Sequence, residues 1–137
     1  MNWTTLLCDD RIRSYKKSSS TDLRTEFEKD YHRIIGSASF RRLQDKTQVF
    51  PLDRSDFVRT RLTHSLEVSS LAKSLGQNIS ESIRVNVKDD TFLPEHKAAV
   101  CDILQCAGLV HDIGNPPFGH FGETSIQDWF KQNLGRL

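Results

Sequence analysis

The sequence predicts an all-α protein, and three features of its apolar pattern support that fold class. Apolar residues recur at helical spacing over most of the chain. Glycine and proline cluster near the ends of these stretches, where they terminate helices. Only one short segment is β-branched and aromatic enough to be extended. Since 137 residues fit one domain with a modest core, we expect five or six helices in a single domain.

The first half of the chain is predicted to contain a polar loop, two helices and an extended piece. Residues 13–22 are polar, serine-rich and basic, which is typical of an exposed loop. Apolar and aromatic residues follow helical spacing over residues 23–43, and Gly36 predicts a break between two helices. Because Pro51 excludes a helix, we expect an extended piece or a tight loop at 47–53.

Three helices are predicted for the second half. The first covers residues 62–79, with Gly76 as its end or as a tolerated interruption. The second, over residues 96–114, is the most apolar stretch and ends at a run of glycine, asparagine and two prolines. The last begins at a capping box, Thr124–Gln127, and Gly135 is its predicted C-terminal cap.

Composition argues against several function classes. A formal net charge of +1 favours neither a nucleic acid nor a membrane as partner. No apolar run approaches membrane-spanning length, and the first residues lack the basic start and apolar core of a secretion signal. The odd set of three cysteines argues against a disulfide framework: Cys8, Cys101 and Cys106. We therefore expect a cytoplasmic protein with no membrane partner.

Two histidines lie on helix faces that the pattern predicts to be buried. His64 lies four, seven and eleven residues before apolar residues of its helix, and His111 lies at the same intervals after apolar residues of the next helix. Asp112 follows His111 at the end of that helix. A buried carboxylate must be paired or bind a cation, because burying it alone is costly. Neutral imidazole and carboxylate together suit a first-row divalent metal ion.

A structural role is the alternative for each histidine. A lone histidine on an apolar face is commonly a core residue satisfied by a hydrogen bond, and this alternative suits His64 taken alone. The adjacent Asp112 weakens it for His111. Structural zinc of the thiolate-rich kind is disfavoured, because no cysteine lies at ligand spacing. His32 and His96 lie among charged residues and are predicted to be on the surface.

The segments around these residues resemble the HD superfamily of metal-dependent phosphohydrolases. The sequences RRLQDKTQVFPLDRSDFVRTRLTHSLEV (residues 41–68) and AGLVHDIGNPPFGHFGE (residues 107–123) are similar to its deoxyguanosine triphosphate triphosphohydrolase (dGTPase) branch. The resemblance covers residues 21–130 and implies an HD-domain helical bundle, of which this chain is the N-terminal part. We place an N-terminal segment and polar loop at 1–22 and the HD-domain portion at 23–137.

The resemblance implies a divalent metal site. His64, His111 and Asp112 match three of the family's four metal ligands, and we expect an ion of the Mn, Mg, Fe, Co or Ni type. The fourth ligand, an aspartate on a later helix, has no counterpart here, because Asp128 follows Glu123 too closely. We therefore expect weak metal binding and little or no activity from this chain alone.

Further roles follow from the same resemblance. His120 and Glu123 match the pair that acts directly at the phosphate. Gln48 matches a residue that contacts the deoxynucleoside, and Arg61 matches an arginine near the triphosphate. The family usually has histidine where this chain has Asn115, a position to which we assign no metal-binding role.

The implied activity is hydrolysis of a dGTP-like deoxynucleoside triphosphate to the deoxynucleoside and tripolyphosphate. The complete protein is expected to be a homo-oligomer, with single-stranded DNA or a nucleotide as a candidate effector. One alternative is an HD phosphohydrolase of another nucleotide class, against which the PPFGH and RTRLTHS stretches argue. The other is a catalytically incomplete regulatory module that binds nucleotides or nucleic acid, which the missing fourth ligand favours.

Overall fold

The computed structural model describes residues 2–12, 22–46, 58–116 and 118–136. These ranges contain no β-strand, so the predicted all-α class is confirmed for them. Their α-helices, in chain order, are α1 (Trp3–Leu6), α2 (Glu26–Gly36), α3 (Ala38–Arg41), α4 (Arg61–Ser82), α5 (Pro94–Val110) and α6 (Gly119–Asn133). Short 3-10 turns follow α3 and α6, and a π-helical turn follows α4. The predicted polar loop at 13–22 lies outside the described residues except for Asp22. The predicted extended piece at 47–53 lies wholly outside them.

Local capping explains where α2 and α3 begin and end. The Thr25 hydroxyl accepts a hydrogen bond from the Glu28 backbone N–H at 3.1 Å, and the Glu28 carboxylate accepts one from the Thr25 N–H at 2.7 Å. Helix α2 ends at Gly36, and Ser37 caps α3 through the Phe40 N–H at 3.2 Å. The predicted break at Gly36 is confirmed.

Helices α4 and α5 form a closely packed antiparallel pair that organises the fold. Small residues line their contact. At Gly108 the two backbones are so close that an added Cβ atom would lie only 2.6 Å from the Cα atom of Ser69. The Ser69 hydroxyl crosses the interface and donates to the Gln105 carbonyl at 2.9 Å. Gly76 lies against Cys101 within the same interface, so it is an internal packing residue of α4 and does not end the helix.

The apolar stripe of α4 is not its buried face, which corrects the sequence-based expectation. Leu71 and Leu75 are 71% and 55% exposed. The buried residues of α4 are instead small ones: Ser65, Ser69, Gly76 and Ser80. Small side chains allow the two helix backbones to approach closely, and this approach selects the face that packs on α5.

The core lies where α2 and α3 meet the first turns of α4 and the last turns of α5. Its buried residues are Phe40, Leu43 and Leu109. Partly buried side chains surround it: Tyr31, Ile34, Ile35, Leu62 and Ile113. Because Leu62 and Ile113 flank the two helix ends in sequence, the core holds those ends together and so positions the polar residues beside them.

A second contact joins the N-terminal helix to the loop before α5. The Trp3 indole N–H donates to the Asp89 carboxylate at 2.9 Å, and its ring meets Phe92 edge-on at a centroid distance of 4.9 Å. His96 lies beside Phe92 and is only 7% exposed, so the predicted surface location is wrong. Its Nδ1 atom accepts the Leu93 backbone N–H at 3.0 Å, which satisfies a backbone donor at the start of α5.

Helix α6 begins earlier than the sequence predicts. Its first residue is Gly119, and Thr124 lies inside the helix, where its hydroxyl donates to the His120 carbonyl at 2.9 Å. The predicted capping box is therefore wrong, and Gly135 belongs to the 3-10 turn after the helix. Within the described ranges α6 packs extensively on neither α4 nor α5, and its apolar side chains are exposed.

None of the described helices is both long enough and apolar enough to cross a membrane.

Candidate metal centre

The antiparallel pairing of α4 and α5 brings three polar residues together. It places the first turn of α4, which carries His64, beside the end of α5, which carries His111 and then Asp112. One ligand atom from each residue lies within 4.8 Å of the others. The centroids of the His64 and His111 rings are 5.2 Å apart, and the ring planes are inclined at 72°. Among the described residues, these three side chains form the group of potential metal ligands that lie close enough together to hold one ion.

The hydrogen bond of His111 determines which nitrogen is free. Its Nδ1 atom lies 2.7 Å from the Gly108 carbonyl oxygen, which can only accept, so Nδ1 carries the proton. Nε2 then keeps its lone pair and is available as a ligand, the arrangement usual for metal-binding imidazoles. His111 is exposed and His64 is half-buried, which corrects the expectation that both lie on buried faces. Much of the buried surface of α4 and α5 lies in their mutual contact, and α5 also packs on α2.

Asp112 presents one satisfied and one unsatisfied oxygen. The residue is 7% exposed. Its Oδ1 atom accepts from the Asn115 side-chain amide at 2.6 Å and lies 3.3 Å from a terminal guanidinium nitrogen of Arg61. Its Oδ2 atom is buried and has no hydrogen-bond donor among the described residues. A buried carboxylate oxygen without a partner is unfavourable, and a cation between it and the two imidazoles would satisfy it. The donor set therefore fits a divalent metal ion.

His120 and Glu123 meet through helical spacing. They lie one turn apart on α6, and His120 Nδ1 is 3.4 Å from a Glu123 carboxylate oxygen. Both side chains are largely exposed. Their contact follows from the start of α6 at Gly119, which places both residues in one helix. The pair can hold an imidazole with its proton on Nδ1 and Nε2 free.

The HD domain family matches residues 61–134, which is more than half of the chain. The match begins at the first residue of α4 and runs through α6. It thus contains both helices of the candidate metal centre and the His120–Glu123 pair. The chain belongs to the HD-domain family.

Three bacterial relatives align over nearly the whole length of this chain. The deoxyguanosinetriphosphate triphosphohydrolase-like protein of Listeria monocytogenes is 56% identical over 139 residues, covering 100% of this chain and 30% of the relative. That of Synechocystis sp. is 48% identical over 136 residues, covering 99% and 30%. The deoxyguanosinetriphosphate triphosphohydrolase of Enterobacter sp. is 48% identical over 126 residues, covering 90% and 25%.

These relatives confirm the resemblance to the dGTPase branch of the HD superfamily. The chain spans at most about 30% of the length of each of the three.

Two predicted substrate contacts have different outcomes in the HD domain. Arg61, predicted to lie near the triphosphate, is half-buried, and its guanidinium faces Asp112 at the candidate metal centre. Gln48 lies outside the described residues. His32, predicted to be on the surface, is exposed, and its Nδ1 donates to the Glu28 carbonyl at 2.8 Å.

Sequence reasoning missed the contact made by Asn115. It was noted only as a departure from the family pattern, yet its amide is hydrogen-bonded to Asp112. The sequence signal for this contact was that Asn115 follows Asp112 by three residues, with a glycine between them. Gly114 adopts φ +91°, which lets the chain turn back toward the carboxylate.

Proposed function

We propose that these residues form part of a metal-dependent hydrolase that converts a dGTP-like deoxynucleoside triphosphate to the deoxynucleoside and tripolyphosphate. The observation that carries the proposal is the unsatisfied Oδ2 atom of Asp112, buried beside two imidazoles. Membership of the HD-domain family and the names of the relatives support the reaction class. The activity is proposed for a complete enzyme that contains these residues.

The proposed metal ligands are His64, His111 and Asp112, and the ion is divalent, of the Mn, Mg, Fe, Co or Ni type. When bound, such an ion polarises the α-phosphate and lowers the pKa of a water molecule. The chain supplies Nε2 of His111, because Nδ1 is hydrogen-bonded to the Gly108 carbonyl. It also supplies Oδ2 of Asp112, because Oδ1 is occupied by two donors.

His120 and Glu123 are proposed to handle the proton. An oxygen–phosphorus bond forms between water and the α-phosphorus, and the bond from that phosphorus to the 5′ oxygen of the deoxynucleoside breaks. The proton lost by water must reach the 5′ oxygen, and an imidazole suits this transfer near neutral pH. The Glu123 carboxylate, 3.4 Å from Nδ1 of His120, is proposed to keep the proton on Nδ1, so that Nε2 can take the proton from water.

Arg61 and Gln48 are proposed substrate contacts. The guanidinium of Arg61 lies at the candidate metal centre, where it can meet a phosphate oxygen with paired N–H donors. Gln48 is proposed to contact the deoxynucleoside on the strength of the family resemblance alone.

The proposed setting is a cytoplasmic homo-oligomer with single-stranded DNA or a nucleotide as effector. Three free thiols support a reducing compartment: Cys8, Cys101 and Cys106. Exposed apolar side chains on α4 and α6 support further protein contacts in the complete protein.

A regulatory module is the second candidate, and one observation favours it. The candidate metal centre has three protein ligands within the described part of the chain, fewer than the four of the family pattern. A site of this kind could bind a metal and a nucleotide without turning the nucleotide over.

The decisive experiment is metal analysis together with product analysis of dGTP hydrolysis, on this chain and on a longer form. We expect weak metal binding and little or no turnover by the 137-residue chain, and deoxyguanosine plus tripolyphosphate from the longer form. The His111→Ala variant of each form is the control for metal bound elsewhere.

Other outcomes separate the candidates. Release of dGMP or of single phosphates would indicate an HD phosphohydrolase of another class. Metal and nucleotide binding without turnover in the longer form would indicate the regulatory module. Rapid dGTP turnover by the 137-residue chain would show that the site is complete within it.

A further inference from the structure

The two carboxylate oxygens of Asp112 have different hydrogen-bond environments. This difference points to a neighbouring residue that orients the carboxylate. Oδ1 has two donors, and Oδ2 has none among the described residues. We infer that Asn115 orients the Asp112 carboxylate so that Oδ2 faces the two histidines, and that it thereby sets the affinity of the site for a divalent cation. This inference rests on the proposed metal site.

The hydrogen bond from Asn115 restricts rotation of the carboxylate. Its side-chain amide donates to Oδ1 at 2.6 Å, and the two residues are three apart in the chain. Because both oxygens belong to one planar group, holding Oδ1 also fixes where Oδ2 points. A ligand already held in its binding orientation loses less conformational freedom when the ion binds.

The backbone between the two residues places the amide. The Ile113 N–H donates to the Val110 carbonyl at 2.9 Å, which continues the chain of hydrogen bonds past the end of α5. Gly114 then adopts φ +91°, a conformation that L side chains rarely adopt. This turn is what brings residue 115 back to face Asp112.

Arg61 also reaches Oδ1, but it is less suited to this role. Its guanidinium is 3.3 Å away at the end of a long side chain, against 2.6 Å for the Asn115 amide. It carries a positive charge that opposes the approach of another cation. The amide is short and neutral, so it can hold the carboxylate without reducing the attraction of Oδ2 for a metal ion.

The test is Co²⁺ titration of the 137-residue chain, followed by visible absorption, with Mn²⁺ titration calorimetry as a second measurement. We expect Asn115→Ala to raise the Kd for both ions by about 10–100-fold, the usual effect of losing a group that orients a ligand. The thermal unfolding of the metal-free chain should be unchanged. Asn115→Gln keeps a neutral amide donor and should recover part of the affinity.

Asn133→Ala is the matched control. The Asn133 amide donates to the Trp129 carbonyl at 2.8 Å near the end of α6, so its loss removes the same chemical group away from Asp112. The Kd for Co²⁺ should not change. A change as large as that of Asn115→Ala would overturn the inference, because the effect would not be specific to the site.

The remaining outcomes distinguish this inference from the proposed function. If the unmodified chain binds Co²⁺ and Asn115→Ala binds it equally well, Asn115 is not a positioning residue and the metal site stands. If the unmodified chain binds no better than His111→Ala, the metal site fails and the inference fails with it. If Asn115→Ala and Asn115→Gln lose affinity only in proportion to lost thermal stability, the residue supports folding and the inference is wrong.

Discussion

Hydrogen bonds distinguish the two polar atoms within each of the side chains of His111 and Asp112. In each side chain one polar atom is occupied, Nδ1 of His111 by a carbonyl and Oδ1 of Asp112 by two donors. Oδ2 of Asp112 therefore has a defined position and no donor among the described residues, and Nε2 of His111 keeps its lone pair. His120 and Glu123 form a separate unit on α6, paired with each other. This separation predicts different consequences for mutating the two groups.

His111→Ala and His120→Ala should have different effects in a complete enzyme that contains these residues. His111→Ala removes a proposed ligand, so metal content and turnover should be lost together. His120→Ala should leave metal content and nucleotide affinity largely intact, while kcat falls roughly 10²–10⁴-fold, the usual contribution of a positioned acid–base group. Metal stoichiometry, nucleotide affinity and kcat are measured on both variants.

Glu123→Gln is the graded control for that comparison. It should give a smaller loss of kcat than His120→Ala, because it disturbs only the orientation and basicity of the imidazole. Complete loss of metal from His120→Ala would make His120 a ligand and contradict the proposed division of roles.

At the scale of elements, the spacing between α4 and α5 determines whether the three proposed metal ligands can meet. His64 and His111 belong to different helices, so their separation follows the distance between the helix axes. The helices lie very close together at Gly108, where an added Cβ would lie 2.6 Å from Ser69 Cα and 2.8 Å from Ser69 N. Both are backbone atoms and cannot move aside as a side-chain end could.

Gly108→Ala should therefore lower the free energy of unfolding by about 1–3 kcal/mol, the usual cost of overpacking, and should also weaken Co²⁺ binding. Gly36→Ala is the matched control, because a Cβ at Gly36 meets nothing within 4 Å. Denaturant unfolding and Co²⁺ titration of both variants are the measurements. A Gly108→Ala chain as stable as the original would show that the helices can separate at little cost.

Asp102 on α5 predicts a pH effect on stability. Burial raises the pKa of Asp102, and Lys73 only partly offsets this. A raised pKa in the folded state means that folding favours the protonated form, so stability declines as pH rises through that pKa. Asp102→Asn imitates the neutral form and should raise Tm at pH 7, with the gain disappearing below about pH 4, where the aspartate is also protonated.

Asp89→Asn should behave in the opposite way. Hydrogen bonds from Thr91 and Trp3 lower the pKa of Asp89, so its charged form stabilises the fold above the unfolded pKa. The variant should lower Tm at pH 7, and the difference should shrink as pH falls through the lowered pKa. Thermal unfolding of both variants between pH 3 and about pH 8 is the measurement. Equal responses of the two variants would contradict the assigned causes.

At the scale of the whole molecule, apolar side chains remain exposed on two helices. Those of α4 include Leu71 and Leu75, at 71% and 55% exposure. Those of α6 include Phe121 and Trp129, at 77% and 53% exposure. Exposed apolar surface of this kind commonly marks a contact with another protein surface.

The 137-residue chain should therefore self-associate as its concentration rises. Replacing both Leu71 and Leu75 by glutamate should shift it toward monomer, because charge is costly to bury in an apolar contact. Replacing the exposed polar residues Gln77 and Asn78 of α4 by glutamate is the matched control. Sedimentation velocity over a range of concentrations is the measurement, and a chain that stays monomeric throughout would contradict the prediction.

Features set by neighbouring residues along the chain could be predicted from the sequence. The all-α class and the break at Gly36 follow from apolar periodicity and from local capping. The grouping of His64, His111 and Asp112 was also accessible, because the family resemblance assigns all three to one metal site, and antiparallel pairing places the start of α4 beside the end of α5. The family could be recognised because its motifs are themselves short and local.

Other features depended on which surfaces came into contact. The small face of α4 was buried instead of its apolar stripe, because close approach to α5 requires small side chains at Ser69 and Gly108. His96 was buried because Phe92 and Trp3 pack around the start of α5. The hydrogen bond from Asn115 to Asp112 required both the end of α5 and the turn at Gly114. Each depends on distances between segments, which periodicity and composition do not contain, so only the tertiary structure decided them.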